Sequence, residues 1–493
     1  MTEVKGHKSD LWYPAPCMSY SETINYLYSL QKFGLKLGLS NTKRLLKILG
    51  NPEKDFLSIH VTGTNGKGST SRIIATLLEG LGLRTGLFTS PHLVRFTERI
   101  RINSEEISED DVVRFTEYIK GMIPEDIKPT FFEFVTALAF KYFSKKKIDI
   151  GVIEVGMGGR LDATNVIRPL VSVITSISMD HREFLGNTIE SIAKEKAGII
   201  KKGVPVVSSL QVKPALEIIA MKASEGASPL YIYGRDFAGR LKDISPQGIV
   251  FDYEDSEITL KDLFLPLTGE HQLENACLAI KAVLLLIKKG AIDRPQASDL
   301  RIQKKNNSLK ESSACNLLSV AYLEPLFKRH LEKLSWPGRL ELLVKDNVHY
   351  LLDGAHNPQA VRILQKAIKE IYLRSYKRVI LVLGIMADKD IEDMLEPLME
   401  ISDIIIATSP DYKRAIDSQR LASMIKKVRA QTKKPCEVFS KPDIASAMEL
   451  AKGFYRKGDL VVITGSFYTV GEAKVVLGER ESLRTLREEY TKL

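Results

Sequence analysis

The residues with the clearest chemical meaning are Val61-Thr62-Gly63-Thr64-Asn65-Gly66-Lys67-Gly68-Ser69-Thr70. An apolar run over 57–61 predicts a buried strand, and apolar residues at helical spacing over 72–83 predict a helix. A strand that turns through glycines into a helix N-terminus aims several backbone N–H groups and the positive end of the helix dipole at one point. Gly63, Gly66 and Gly68 let the backbone approach an anion closely, and Lys67 adds a mobile positive charge. This is a phosphate cradle, and the chemistry it suits is that of a nucleoside triphosphate. The general phosphate-loop spacing is G-x-x-x-x-G-K-S/T. Here Gly63 stands only three residues before Gly66, and Gly68 separates Lys67 from Ser69-Thr70. An ordinary NTPase therefore fits less well. The plain alternative is a glycine-rich surface turn.

Other polar groups also end predicted strands. Ser90, in Thr89-Ser90-Pro91-His92-Leu93, could offer its hydroxyl to Mg²⁺, although Ser-Pro is also an ordinary turn. The apolar run 148–153 ends in Glu154, and a glycine-rich turn with Arg160 and Asp162 follows. A carboxylate there is placed to hold Mg²⁺ directly or through water; the alternative is a surface acid capping a turn. His181, in Met179-Asp180-His181, could bind metal, orient a carboxylate or simply pack. With Ser90 and Glu154 it completes a hydroxyl, carboxylate and imidazole set suited to Mg²⁺ or Mn²⁺. Lys194-Glu195-Lys196 lies on a predicted helix, and by chemistry alone reads as a solvated charged face. Further along, Arg339 in Trp336-Pro337-Gly338-Arg339 could neutralise phosphate across a cleft, as an arginine finger does. Asp353 ends a strand and could meet a ribose or a cation, whereas His356 alone reads as a surface or satisfied polar residue. The segments 384–390 and 464–468 each read as turns.

The elements that must position these groups alternate. Strands are predicted over 57–62, 84–89, 149–155, 171–177 and 204–208, and helices over 69–81, 108–122, 131–143, 188–199 and 273–288. That alternation argues for βαβ units and a mostly parallel sheet. Residues 230–265 carry short alternating runs and predict a small antiparallel patch. Residues 291–319 are polar and aperiodic and read as a linker or insertion. A second block follows, with strands over 341–345, 349–352, 378–383, 403–407 and 460–463 and helices over 358–372, 391–401, 418–428 and 444–454. The expected division is 1–290, a linker or insertion over 291–335, and a second α/β domain over 336–493. Two such domains create a cleft. Length agrees, since 493 residues exceed one ordinary core. Hydrophobic residues at 44% argue against disorder, and no apolar run approaches the roughly 18 residues that span a bilayer. The polar N-terminus has no signal-peptide core, and the four cysteines form no metal-type pair, which points to a reducing cytoplasm. The net charge of +10 favours anionic partners, but the basic residues are scattered, so nucleotides explain it better than a nucleic-acid stripe.

Taken together, GTNGKGST, TSPHL, PTFFEFVTALA, EVGMGGRLDATN, MDHREFLG, IAKEKAGIIK, HQLENA, WPGRLE, LDGAHNP, LGIMADKD and TGSFYTVGE resemble the folylpolyglutamate synthase family, including its dihydrofolate synthase members, in that family's order. The family lies in the wider group of ATP-dependent Mur ligases, and the resemblance runs from about residue 21 to 476. It implies a two-domain Mur-ligase-like α/β architecture, with an N-terminal P-loop ATPase domain and a C-terminal Rossmann-like domain. It implies that Asn65, Gly66, Lys67, Gly68 and Ser69 bind ATP phosphates. Ser90, Glu154 and His181 match magnesium ligands, and Lys196 matches a lysine that carries a carbamate. Asn275, Arg339 and Asp353 match ATP contacts, with His356 close by; Lys67, Lys196 and His356 are the catalytic expectations. Thr130 and Asp162 match positions near the pterin-bearing substrate, and residues 33–38 a substrate-contacting loop. The implied activity is ATP-dependent addition of L-glutamate to a folate or dihydropteroate through an acyl phosphate, with Mg²⁺ and room for K⁺ or another monovalent cation. The implied protein is a cytoplasmic monomer without nucleic-acid or membrane partners. The alternative is a Mur-type ligase acting on a cell-wall nucleotide.

Overall fold

The structure, a computed structural model, describes residues 17–33, 38–291, 320–429 and 436–479. The loop expected over 33–38 and the insertion over 291–319 fall almost wholly outside them.

The N-terminal sheet is built from β1 (Leu57–Thr62), β2 (Thr85–Phe88), β3 (Ile100–Ile102), β4 (Glu105–Glu106), β5 (Ile150–Glu154), β6 (Val171–Ile174), β7 (Val206–Ser208) and β8 (Leu230–Ile232). Its order is β4-β3-β2-β5-β1-β6-β7-β8. From β2 to β8 every pairing is parallel; β3 and β4 add an antiparallel edge. β1 and β5 are almost wholly buried, as expected for parallel strands covered by helices on both faces. On one face, helices Lys67–Gly80 and His271–Lys288 pack with Ile59, Val61, Val152 and Val173 into a continuous core. On the other lies Phe131–Lys146, opened by a capping box between Thr130 and Glu133. β9 (Phe237–Ser245), β10 (Gly248–Asp255) and β11 (Thr259–Leu265) form a small antiparallel sheet within the expected 230–265, whereas the first residues of that stretch, 230–232, instead pair parallel with β7 as the last strand of the large sheet.

The helix Val320–Leu331 lies inside the stretch read as linker. Its Leu323, Phe327 and Leu331 nevertheless belong to the N-terminal core, at a spacing of four that places them on one face.

The C-terminal sheet contains β12 (Glu341–Lys345), β13 (Val348–Leu352), β14 (Arg378–Leu383), β15 (Ile404–Ala407), β16 (Glu437–Ser440) and β17 (Asp459–Thr464), in the order β12-β13-β17-β14-β15-β16. Only β12 runs antiparallel. The sequence pattern does not predict β3, β4, β16 or the helices Tyr20–Ser29, Ser40–Ile48, Lys213–Glu225 and Phe467–Val476. β4 has two residues and β16 is half exposed, so neither carries a strong period. Phe467–Val476 begins in a segment that reads as a turn and contains Gly471. That glycine is needed for docking: a Cβ there would lie 2.2 Å from the carbonyl oxygen of Leu93 in the N-terminal domain. Leu93 in turn packs against the core of the C-terminal domain.

Candidate active site

Loops leaving the C-terminal ends of β1, β2, β5 and β6 meet loops leaving β13, β14, β15 and β17 around one cavity. This is the edge at which open parallel sheets hold ligands. Asn65, Gly66, Lys67, Gly68, Ser69, Ser90, Glu154, His181, Lys196, Asn275, Arg339, Asp353 and His356 all line it.

The phosphate loop keeps its helix N-terminus open. Helix Lys67–Gly80 starts at Gly66 with no side-chain cap, so its first N–H groups face the cavity side of the loop. Gly66 has φ +89°, and a Cβ there would sit 2.4 Å from Asn275 Oδ1. Asn275 is braced in turn, accepting from Thr70 Oγ1 at 3.3 Å. Lys67 Nζ donates to the carbonyls of Gly63 and Thr64, each at 3.1 Å, and burial lowers its pKa against the pull of Glu154 and Asp180.

Glu154 ends β5 with 3% of its surface exposed. Its Oε2 accepts from the Ser90 N–H at 3.0 Å, and burial pushes the carboxyl up to about 7 while Lys67 opposes the shift. His181 opens the next helix with φ +49°, and burial pushes its ring down to about 3. Among the described residues no three His, Cys, Asp or Glu side chains cluster as a metal site by themselves. The Ser90, Glu154 and His181 set nevertheless fits a hard cation. It supplies two oxygens and a neutral imidazole, and a cation would favour the ionised form of a carboxylate that burial otherwise disfavours.

Lys196 departs from the solvated-face reading. Lys194 is exposed, but Lys196 is only 4% exposed and donates from Nζ to Gly63 O at 2.7 Å. The helix Ile189–Ala197 buries Ile192, Ala193 and Ala197, and helical spacing puts Lys196 on that same face. Burial pulls its pKa down to about 7.

From the C-terminal domain, the Arg339 guanidinium lies over the Phe467 ring at 4.3 Å, and burial lowers its pKa. Asp353 accepts from the N–H groups of Leu340 (3.0 Å) and Ala355 (2.9 Å). His356 Nδ1 lies 2.8 Å from Gly354 O, which makes Nδ1 the protonated nitrogen.

Asp180 is the important residue that the sequence pattern does not single out. It is 7% exposed and joins the domains: Lys389 Nζ approaches at 2.7 Å, Asn357 Nδ2 at 3.2 Å and His356 Nε2 at 3.5 Å. Asn65 also reaches across, donating to Gln359 Oε1 at 2.6 Å and accepting from Asn357 Nδ2 at 3.0 Å. The available signal is a carboxylate beside His181 at a strand end. Its lysine partner lies in a segment that reads as a turn.

Thr130 and Asp162 do not line this cavity. They line a neighbouring one with Phe132, Glu133, Arg160 and Phe184. The two cavities share Gly156, Met157, Gly158 and Leu185. The Thr130 hydroxyl caps its helix by accepting from Glu133 N at 3.2 Å, and Asp162 accepts from Met157 N at 2.9 Å.

Two family models match the chain: Mur ligase middle domain over residues 61–283, and Mur ligase, glutamate ligase domain over residues 338–467. Fold, site and matches define a ligase of the Mur type. The dihydrofolate synthase/folylpolyglutamate synthase of Bacillus subtilis (strain 168) is 34% identical over 464 residues, 92% of this chain and 98% of that protein. The chain belongs to the folylpolyglutamate synthase/dihydrofolate synthase family. The crystal structure of the Thermotoga maritima folylpolyglutamate synthase superposes with a TM-score of 0.75 at 35% identity, covering 93% of this chain and 96% of that one. The Escherichia coli FolC structure in complex with DHPP and ADP gives 0.78 at 28% identity, covering 94% and 99%. These relatives favour the folate branch over the cell-wall nucleotide alternative.

Proposed function

We infer that this chain is an ATP-dependent amide ligase that joins L-glutamate to the carboxylate of a folate, accepting both dihydropteroate and tetrahydrofolates. The carrying observation is the pair of cavities separated by Gly156-Met157-Gly158. One is lined by a phosphate loop and cations, the other by Thr130, Phe132 and Asp162. An acceptor in the second can direct its carboxylate at a phosphate in the first.

The acceptor carboxylate attacks the γ-phosphate of ATP; ADP leaves and an acyl phosphate remains. The amine of glutamate then attacks the acyl carbon, the amide bond forms, and inorganic phosphate and a proton depart. A carboxylate is a poor electrophile, and phosphorylation supplies the leaving group. Two anions must meet in the first step. Lys67 and Arg339, both half-buried in the cavity wall, concentrate the positive charge that this encounter needs. Mg²⁺ held by Ser90, Glu154 and His181 would add to that charge. Closure across Asn65, Asn357, Asp180 and Lys389 keeps water from the acyl phosphate.

Lys196, in this reading, carries a carbamate. Its neutral amine attacks CO₂, the N–C bond forms and a proton is released. Burial supports the neutral amine, since a pKa near 7 leaves a large unprotonated fraction at neutral pH. The groups named all come from one chain, so a monomer suffices. Among the described residues no helix is long and apolar enough to cross a membrane, and we place the enzyme in the cytoplasm. The test is phosphate release that depends on both ATP and glutamate, measured with dihydropteroate and with tetrahydrofolate in parallel. Release indifferent to both acceptors would end this reading.

A further inference from the structure

His60 lies at the middle of β1, fully buried, and no step above uses it. It shares one face of the strand with Thr62, because side chains two apart on a strand point the same way. Both reach the glycine-rich loop that separates the two cavities. Thr62 Oγ1 donates to Gly158 O at 2.7 Å. His60 Nε2 lies 2.8 Å from Thr164 Oγ1, and Thr164 Oγ1 donates to Asp162 Oδ1 at 2.5 Å.

The proton count fixes the direction of this chain. Asp162 accepts from the backbone N–H groups of Met157 and Thr164 and from the Thr164 hydroxyl. Burial raises its pKa overall, but Oδ2 accepts from Met157 N–H and Oδ1 from both donors of Thr164, so both oxygens act as acceptors, as those of a carboxylate do. A carboxylate only accepts, so the single hydroxyl proton of Thr164 is committed to Asp162. Thr164 Oγ1 can then only accept from His60, and Nε2 must carry the hydrogen. Nδ1 is left bare, and it has no partner among the described residues. The opposite tautomer would turn two lone pairs toward each other at 2.8 Å and bury an orphan N–H instead.

We propose that His60 is a positioning residue for the acceptor site. Through Thr164 it fixes the direction of the Asp162 carboxylate, and with Thr62 it ties the 156–158 wall to the strand that carries the phosphate loop. β1 runs straight into Gly63, so one strand sets both the phosphate cradle and the wall of the acceptor cavity. The arrangement keeps the acceptor carboxylate and the γ-phosphate in register. This inference rests on the folate-ligase reading for its consequence, but the hydrogen-bond chain itself does not.

Three variants test it. Gln at position 60 places its amide N–H near the position of Nε2 and keeps the donor. Leu keeps bulk and removes it, and Thr164→Val removes the link. We expect His60→Leu to raise KM for the acceptor on the order of tenfold, as the loss of a buried hydrogen bond to a charged group's neighbour implies, with KM for ATP nearly unchanged. His60→Gln should recover most of that loss. In a double-mutant cycle, His60→Leu and Thr164→Val should be strongly non-additive. A purely structural role would lower the melting temperature without splitting the two KM values. Equal acceptor KM in parent and His60→Leu, or full additivity, overturns the proposal. A second readout needs no turnover: ¹⁵N spectra of the histidine rings, with His60→Leu to assign the signal. The expected form is neutral with the hydrogen on Nε2; an Nδ1–H pattern overturns the proposal. If the parent ligates no folate-type acceptor, the functional reading fails, and the ¹⁵N spectrum still decides the hydrogen-bond chain.

Discussion

Lys389→Met should open the cleft rather than unfold the protein. Lys389 and Asp180 are 2.7 Å apart with side chains 10% and 7% exposed, and they belong to different domains. Burial raises the Asp180 carboxyl, but the Lys389 ammonium at 2.7 Å, with the Asn357 amide donating at 3.2 Å, outweighs burial and holds the carboxyl well below 3.8. Because the folded value is depressed, the contribution of this group is complete above about 3.8 and is lost only as pH falls through the folded value. An assay near neutral pH therefore sees all of it. Removing one partner of a fully buried pair costs about 3–5 kcal/mol. Here Asp180 keeps Asn357 and His356, and domain separation would return it to water. The cost falls on closure and is smaller, roughly 2 kcal/mol, which is about a 30-fold drop in the ratio of closed to open forms. Small-angle scattering or a dye pair across the domains should report a wider average separation, with KM raised and the melting curve moved little. Lys389→Arg should restore most of the closed form. An unchanged separation in Lys389→Met would refute the argument, as would a loss that appears wholly as a lower melting temperature with the cleft still shut.

Three further outcomes are expected. Gly66→Ala adds about 1–2 kcal/mol of backbone strain at φ +89° and pushes Asn275 off Thr70, so calorimetry should find at least tenfold weaker ADP binding; parental affinity would disprove the close approach. Lys67→Ala should abolish phosphate release with a parental melting curve, since Lys67 is the lysine within the glycine loop, and near-normal turnover would refute it. Lys196→Met should be inactive and, in CO₂-free buffer where the parental Lys196 carries no carbamate, more stable than the parent near pH 7. The folded lysine sits near 7 and the unfolded one near 10.5, so the unfolded state binds more protons between these values and parental stability rises with pH across that window. The advantage of the variant should therefore shrink from a few kcal/mol near pH 7 toward nothing by pH 10.5. An advantage independent of pH would mean that Lys196 is not a titrating buried amine.

Much of the scaffold is legible in the amino-acid sequence alone. The strand at 57–62, its glycine turn and the helix that follows depend on neighbours within a few residues, and propensity and period report such neighbours directly. Glu154 and Asp353 are legible for the same reason, as carboxylates that end apolar runs. The order of the motifs along the chain also points to the family, with no need of the strand order in either sheet. Tertiary structure decides the rest. Lys196 reads as solvent-facing because its sequence neighbours are charged, but its burial depends on the helix face that turns inward against Gly63, 133 residues away. Asp180 gains its meaning from Asn357 and Lys389, 177 and 209 residues distant. The same holds for His60, whose role appears only when Thr164, 104 residues on, is folded against it. Local sequence determines which conformations each segment prefers. Burial and electrostatics are sums over everything that long-range closure brings near, and no window of sequence contains that sum.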